Sequence, residues 1–107
     1  AIGTANIFKL ILVSGSSYLA NIEAIVSGPK SGNSFYKGIA TINVSADGEV
    51  TLNVPSESVF SQGFQWIWKI SPNEVLFQFE SPDSNETLKY SGKLDILSNG
   101  DTTYKCG

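Results

Sequence analysis

Turn signals recur along this chain at short, regular intervals: SGSS from residue 14, SGPKSGNS from 27, ADGE from 46, SPNE from 71, SPDSNE from 81 and SNGD from 98. Between them lie runs rich in Ile, Val, Thr, Phe, Tyr and Trp, and no run keeps a 3.6-residue period with caps. This punctuation predicts consecutive antiparallel strands and an all-β fold. Eight strands are expected, over roughly residues 5–13, 18–26, 35–45, 49–54, 64–70, 75–80, 87–97 and 102–106. Residues 56–62, SESVFSQ, read as a loop or one short helical turn. The 107 residues suit a single domain, 1–107. A domain of that size can bury a core without metal or disulfide staples.

Period-2 alternation then assigns faces. Tyr36, Gly38, Ala40, Ile42 and Val44 share one face of the third strand, and Val50, Leu52 and Val54 one face of the fourth. A three-residue loop, Ala46-Asp47-Gly48, brings these sets together by pairing Val44 with Val50, with Gly48 left-handed in a G1 bulge. The same argument applied to Ser98-Asn99-Gly100 pairs Leu94 with Tyr104 and Gly92 with Cys106, leaving Cys106 inward and Gly100 left-handed. SPNE predicts a type I turn that pairs Ile70 with Val75, Trp68 with Phe77 and Trp66 with Phe79. On the second strand, Tyr18, Ala20, Ile22, Ala24 and Val26 form the apolar face and Glu23 points away from it. The first strand, NIFKLILV, is apolar on both faces except at Lys9, which predicts cover on both sides or an oligomer contact.

Eight strands joined mostly by short loops suggest a meander closed into a small up-and-down barrel. Closure hides the edge that the first strand exposes. The general look is that of small lipocalin-like barrels, a likeness of architecture alone. The alternative is a two-sheet β-sandwich, with the longer connections at 27–34 and 55–63 as its crossings.

What the chain lacks restricts its chemistry. It has no histidine and one cysteine, Cys106, so Ser-His-acid and Cys-His nucleophile pairs and Cys/His zinc sites are excluded. No cofactor is expected. The net charge is −3, with seven scattered lysines and no arginine, which argues against nucleic acid. No apolar run approaches the roughly 18 residues of a membrane-spanning helix. Richness in Ser, Asn, Thr and Gly leans towards a secreted or periplasmic setting; the sequons at Asn43 and Asn85 are of a kind that arises by chance. Asp47 and Glu49 belong to a tight turn, and Asp83, Glu86 and Asp101 lack calcium-loop spacing.

What remains is aromatic. Residues 64–80 hold both tryptophans and three phenylalanines. Phe64, Trp66, Trp68, Phe77 and Phe79 form a ladder that is either core or a pocket wall, with Tyr36, Tyr90 and Tyr104 as hydrogen-bonding groups. Small residues opposite (Gly38, Ala40, Ala20, Ala24, Gly92) leave room beside it. The expected function is non-enzymatic binding of a small hydrophobic ligand, or of a protein partner, by a monomer or homodimer. The alternatives are an interaction or structural domain (an inhibitor, adhesin or assembly subunit) and a cyclase-like barrel enzyme that works by positioning its substrate.

Overall fold

A computed structural model describes residues 3–82 and 85–98 and the backbone of 103–106. Seven antiparallel strands lie within 3–98: β1 (Gly3–Ile11), β2 (Ser17–Gly28), β3 (Gly32–Val44), β4 (Val50–Ser61), β5 (Gln65–Ser71), β6 (Glu74–Ser81) and β7 (Lys89–Ser98). The backbone of Thr103–Cys106 adds β8. The strands form two sheets, ordered β1-β6-β5 and β4-β3-β2-β7-β8. Among the described residues no ladder joins the two sheets, so the expected barrel does not close and the sandwich alternative fits. The order also departs from a simple meander. β1 leaves its sequence neighbour β2 to pair with β6, and β7 pairs with β2.

The hairpins inside each sheet follow from turn chemistry. Val44 pairs with Val50 and Ile42 with Leu52, and Gly48 has φ +87°, as the three-residue loop requires. Trp66, Trp68 and Ile70 face Phe79, Phe77 and Val75 as expected. The turn between them differs from type I. Ser71 pairs with Glu74, and Asn73 at the second corner has φ +57°. Proline cannot take a positive φ at the first corner, so the shape is that of a type II turn.

The two connections expected to be long are a hairpin tip and a strand. Gly28 pairs with Gly32, so 27–34 is the tip of the β2–β3 hairpin and not a crossing. Residues 56–61 are neither loop nor helical turn; they continue β4 alongside β3, from Ser56↔Ile39 to Ser61↔Ser34. β4 survives Pro55 because it is an edge strand and the proline sits in a bulge, where no ladder N–H is needed. In the last hairpin Leu94 pairs with Cys106 and Ile96 with Tyr104, two residues away from the expected register. A shift of two keeps each residue on its face, so alternation could not detect it. The expected left-handed Gly100 and the side chains of Tyr104 and Cys106 lie outside the described residues.

A bulge accounts for part of the two-faced apolarity of β1. Asn6 pairs with Gln78 and Phe8 with Phe77, leaving Ile7 as an extra, bulged residue. Ile7 and Phe8 therefore both pack against the core, and Asn6 and Lys9 both point to solvent. Ile11 and Val13, at the end of the same stretch, keep apolar side chains 69% and 61% exposed. β1 can lie this close to β7 because Gly92 has no side chain. A Cβ at Gly92 would sit 2.7 Å from Ile7 Cγ2 and 2.9 Å from Phe8 Cζ.

The core lies between the sheets. Its floor is Tyr18, Ala20, Ile22 and Ala24 of β2 with Tyr36, Ala40, Ile42 and Val44 of β3; its roof is Val75 and Phe77 of β6. Each end is tied by one polar side chain. At one end the Asn73 amide donates to Leu12 O (3.0 Å) and Ser14 Oγ (2.9 Å), and its backbone N–H donates to Gly48 O (2.9 Å). At the other, Glu86 accepts from the backbone N–H groups of Lys30 and Ser31 and from the Ser31 hydroxyl.

Candidate functional site

The aromatic ladder lies at the centre of the sandwich. Phe77 contacts Tyr36 at 4.8 Å, Trp68 at 4.6 Å and Trp66 at 5.6 Å between ring centroids. Phe79 meets Phe64 edge-on at 5.8 Å and Trp66 at 6.0 Å. Phe64, Phe77, Phe79 and Tyr36 are buried, and Trp66 and Trp68 are partly buried against the same cluster. Their polar handles are engaged within the protein. Trp66 Nε1 donates to Ser34 Oγ (2.8 Å), and that hydroxyl donates to Phe60 O (2.7 Å). Trp68 Nε1 donates to Tyr36 OH (3.3 Å), which donates to Glu57 Oε2 (2.6 Å). The room at Gly38 is taken, and at Gly92 it is narrowed, though Gly92 still borders a hollow between β1 and β7. The Tyr36 ring lies over Gly38, where a Cβ would meet it at 2.8 Å, and Ile7 and Phe8 cover Gly92.

Burial, and then the hydrogen bond to the Glu57 carboxylate, hold the Tyr36 phenol well above its ordinary value of 10.0. Above about pH 10 the unfolded chain sheds this proton while the folded chain keeps it. The folded state then binds more protons, so stability present below pH 10 is lost as pH rises, by at most about 1.4 kcal/mol per unit. Tyr36→Phe is expected to cost about 1 kcal/mol at pH 8 through the lost hydrogen bond. It is also expected to flatten the decline between pH 10 and 11. Urea unfolding at pH 8, 10 and 11 checks both, and parallel wild-type and variant slopes would contradict the second.

Tyr90 stands apart from the other candidates. It touches Phe79 at 5.1 Å but is 50% exposed. It borders two hollows that the ladder aromatics do not reach. One, of about 470 Å³, lies between β1 and β7, along Ile7, Phe8, Leu10 and Leu94. The other, of about 420 Å³, lies on the outer face of the five-stranded sheet. There Phe60, Phe35, Ile25 and Ser91 form one straight row across β4, β3, β2 and β7. The rings of Phe35 and Phe60 are stacked, with centroids 5.9 Å apart and planes 17° apart. They remain 42% and 48% exposed. Beside this row runs a second, Asn33-Ser27-Lys89, also lining the hollow.

Sequence reasoning missed Phe35, Phe60 and Ile25. Alternation places Ile25 and Phe35 on the polar faces of their strands, and large apolar residues on a polar face were the available signal. Phe60 had no such signal, because it fell in a stretch read as loop. Its outward direction depends on the β4 bulge: Val54 and Pro55 together stand opposite Ala40, which moves Ser56, Ser58 and Phe60 to the outer face. Glu23 points outward too, 3.7 Å from Lys37 Nζ. Among the described residues no cluster of His, Cys, Asp or Glu could hold a metal ion. Among the described residues no helix is long and apolar enough to cross a membrane. No family model, curated protein or solved structure matches the chain.

Proposed function

We propose that this is a non-enzymatic binding protein that takes a small apolar ligand into the hollow on the outer face of the five-stranded sheet. The observation that carries this reading is the stacked Phe35–Phe60 pair, left half-exposed at the wall of a hollow of about 420 Å³. That volume lies within the roughly 300–1,000 Å³ of small-molecule sites. The solvent face of an antiparallel sheet is ordinarily polar, so aromatic surface retained there calls for a use. The interior ladder is the weaker candidate, because its rings pack on one another and its donors are engaged.

The neutral fluorophore N-phenyl-1-naphthylamine tests this. It is expected to bind the wild type, and Phe60→Ser is expected to weaken binding about tenfold through lost apolar contact. The variant is expected to lose about 1 kcal/mol of stability, because Phe60 is only half-exposed and gives up its stack on Phe35. Unchanged binding in Phe60→Ser and in Phe35→Ser would refute the site.

A second reading, protein docking on the same face, draws on Leu19, Ile39 and Leu97, which are exposed on that face beyond the Lys37-Glu23-Lys93 row. A mass that rises with concentration would favour it. The cyclase-like reading has less support: it needs an acid or phenol in an open interior, while Glu23 faces solvent and the Tyr36 hydroxyl is engaged.

A further inference from the structure

We infer that the ligand of this hollow is an amphipathic anion, a flat apolar body with one acidic head, and that Lys89 receives the head. The inference rests on the reading of the hollow as the binding site. Among the described residues Lys89 is the only charged side chain lining it. It has no ion-pair partner among them, whereas Lys37 faces Glu23 at 3.7 Å and Lys9 faces Glu74 at 3.9 Å. The row that holds Lys89 is a row of donors. Ser27 Oγ donates to Asn33 Oδ1 (2.7 Å), and the Asn33 amide NH₂ has no acceptor among the described residues, so it can donate to a ligand.

Among the described residues no carboxylate lines the hollow to compete for the lysine. Glu23, on the same face, lies one row beyond Ile25 and is turned to Lys37; Glu86 is held by the β2–β3 hairpin tip. The apolar row and the donor row are two residues apart along each strand, roughly 7 Å. That separation suits an aryl carboxylate or sulfonate, with its rings beside Phe35 and Phe60 and its oxygens at Lys89 and Asn33. A lysine ammonium is worth most to such a ligand where an apolar wall excludes water from one side of the pair.

Two probes with the same ring systems separate the head from the body: 1-anilinonaphthalene-8-sulfonate, which is anionic, and neutral N-phenyl-1-naphthylamine. Each is titrated by its own emission into the wild type, Lys89→Met and Phe60→Ser. Lys89→Met keeps the apolar stem and removes the charge. It is expected to weaken the anionic probe about five- to tenfold and to leave the neutral probe within twofold. Phe60→Ser is expected to weaken both. If Lys89→Met leaves the anionic probe within twofold while Phe60→Ser still weakens both, the anionic head is overturned and the apolar site stands. If neither probe binds the wild type, or Phe60→Ser changes neither, both readings fall.

Discussion

Phe77→Ala is expected to destabilise the protein by about 3–5 kcal/mol, in the range for truncating a buried phenylalanine. Phe77 is 1% exposed and its ring is shared by three neighbours: Trp66 stacks on it, and Tyr36 and Trp68 tilt against it. The sheets meet through this ring, because Tyr36 belongs to β3 and Phe77 to β6. The hole left by alanine cannot close easily, since Tyr36 is pinned by its bond to Glu57 and Trp66 by its bond to Ser34. A domain of this kind holds only about 5–15 kcal/mol in total, so this loss is a large share of it. Urea unfolding followed by tryptophan emission measures the change directly, and Trp66 and Trp68 should report a wetter native state. A loss below about 1 kcal/mol would mean that the ladder is not the core; Phe60→Ala, on the outer face, should stay near that figure.

Asn73→Ala is expected to cost about 2–4 kcal/mol, from two separable sources. Asn73 sits at φ +57°, a conformation that alanine adopts only under strain. Its amide also bonds to Leu12 O and Ser14 Oγ, which joins the β5–β6 turn to the β1–β2 connection. Its backbone N–H reaches Gly48 O in the β3–β4 loop, so one residue ties both sheets at this end. Asn73→Gly separates the two sources. Glycine relieves the backbone strain and loses only the amide bonds, so it should recover about 1–2 kcal/mol relative to alanine. Equal losses in the two variants would show that the backbone conformation contributes nothing.

These two residues differ in how far the chain announced them. The Phe77–Trp68 pairing followed from SPNE and the alternation on either side of it. The Asn73 knot did not, because its partners lie 61 and 59 residues away along the chain. The ladder residues were read correctly as neighbours, yet core and pocket wall were indistinguishable. That distinction depends on whether Tyr36 lies down over Gly38, a matter of side-chain packing. The Phe35–Phe60 surface was less legible still. Had β4 continued without its bulge, Phe60 would share the inner face of Val50, Leu52 and Val54.

The strand-and-turn grammar, the inward faces of β2 and β3 and the pairing of two hairpins are legible in the chain alone. These are local consequences of period-2 geometry and of what Gly48 and the Pro72–Asn73 pair allow the backbone to do. Packing between distant segments accounts for the rest. It set the partition into two sheets, the distant pairings of β1 with β6 and β2 with β7, and the bulges at Ile7 and at Val54–Pro55. A bulge inserts one residue and reverses every face beyond it, and its local cost is offset only by contacts made far along the chain. At Ile7 those contacts fill the space over Gly92; at Pro55 the bulge turns Phe60 to the outer face, into line with Phe35 and Ile25.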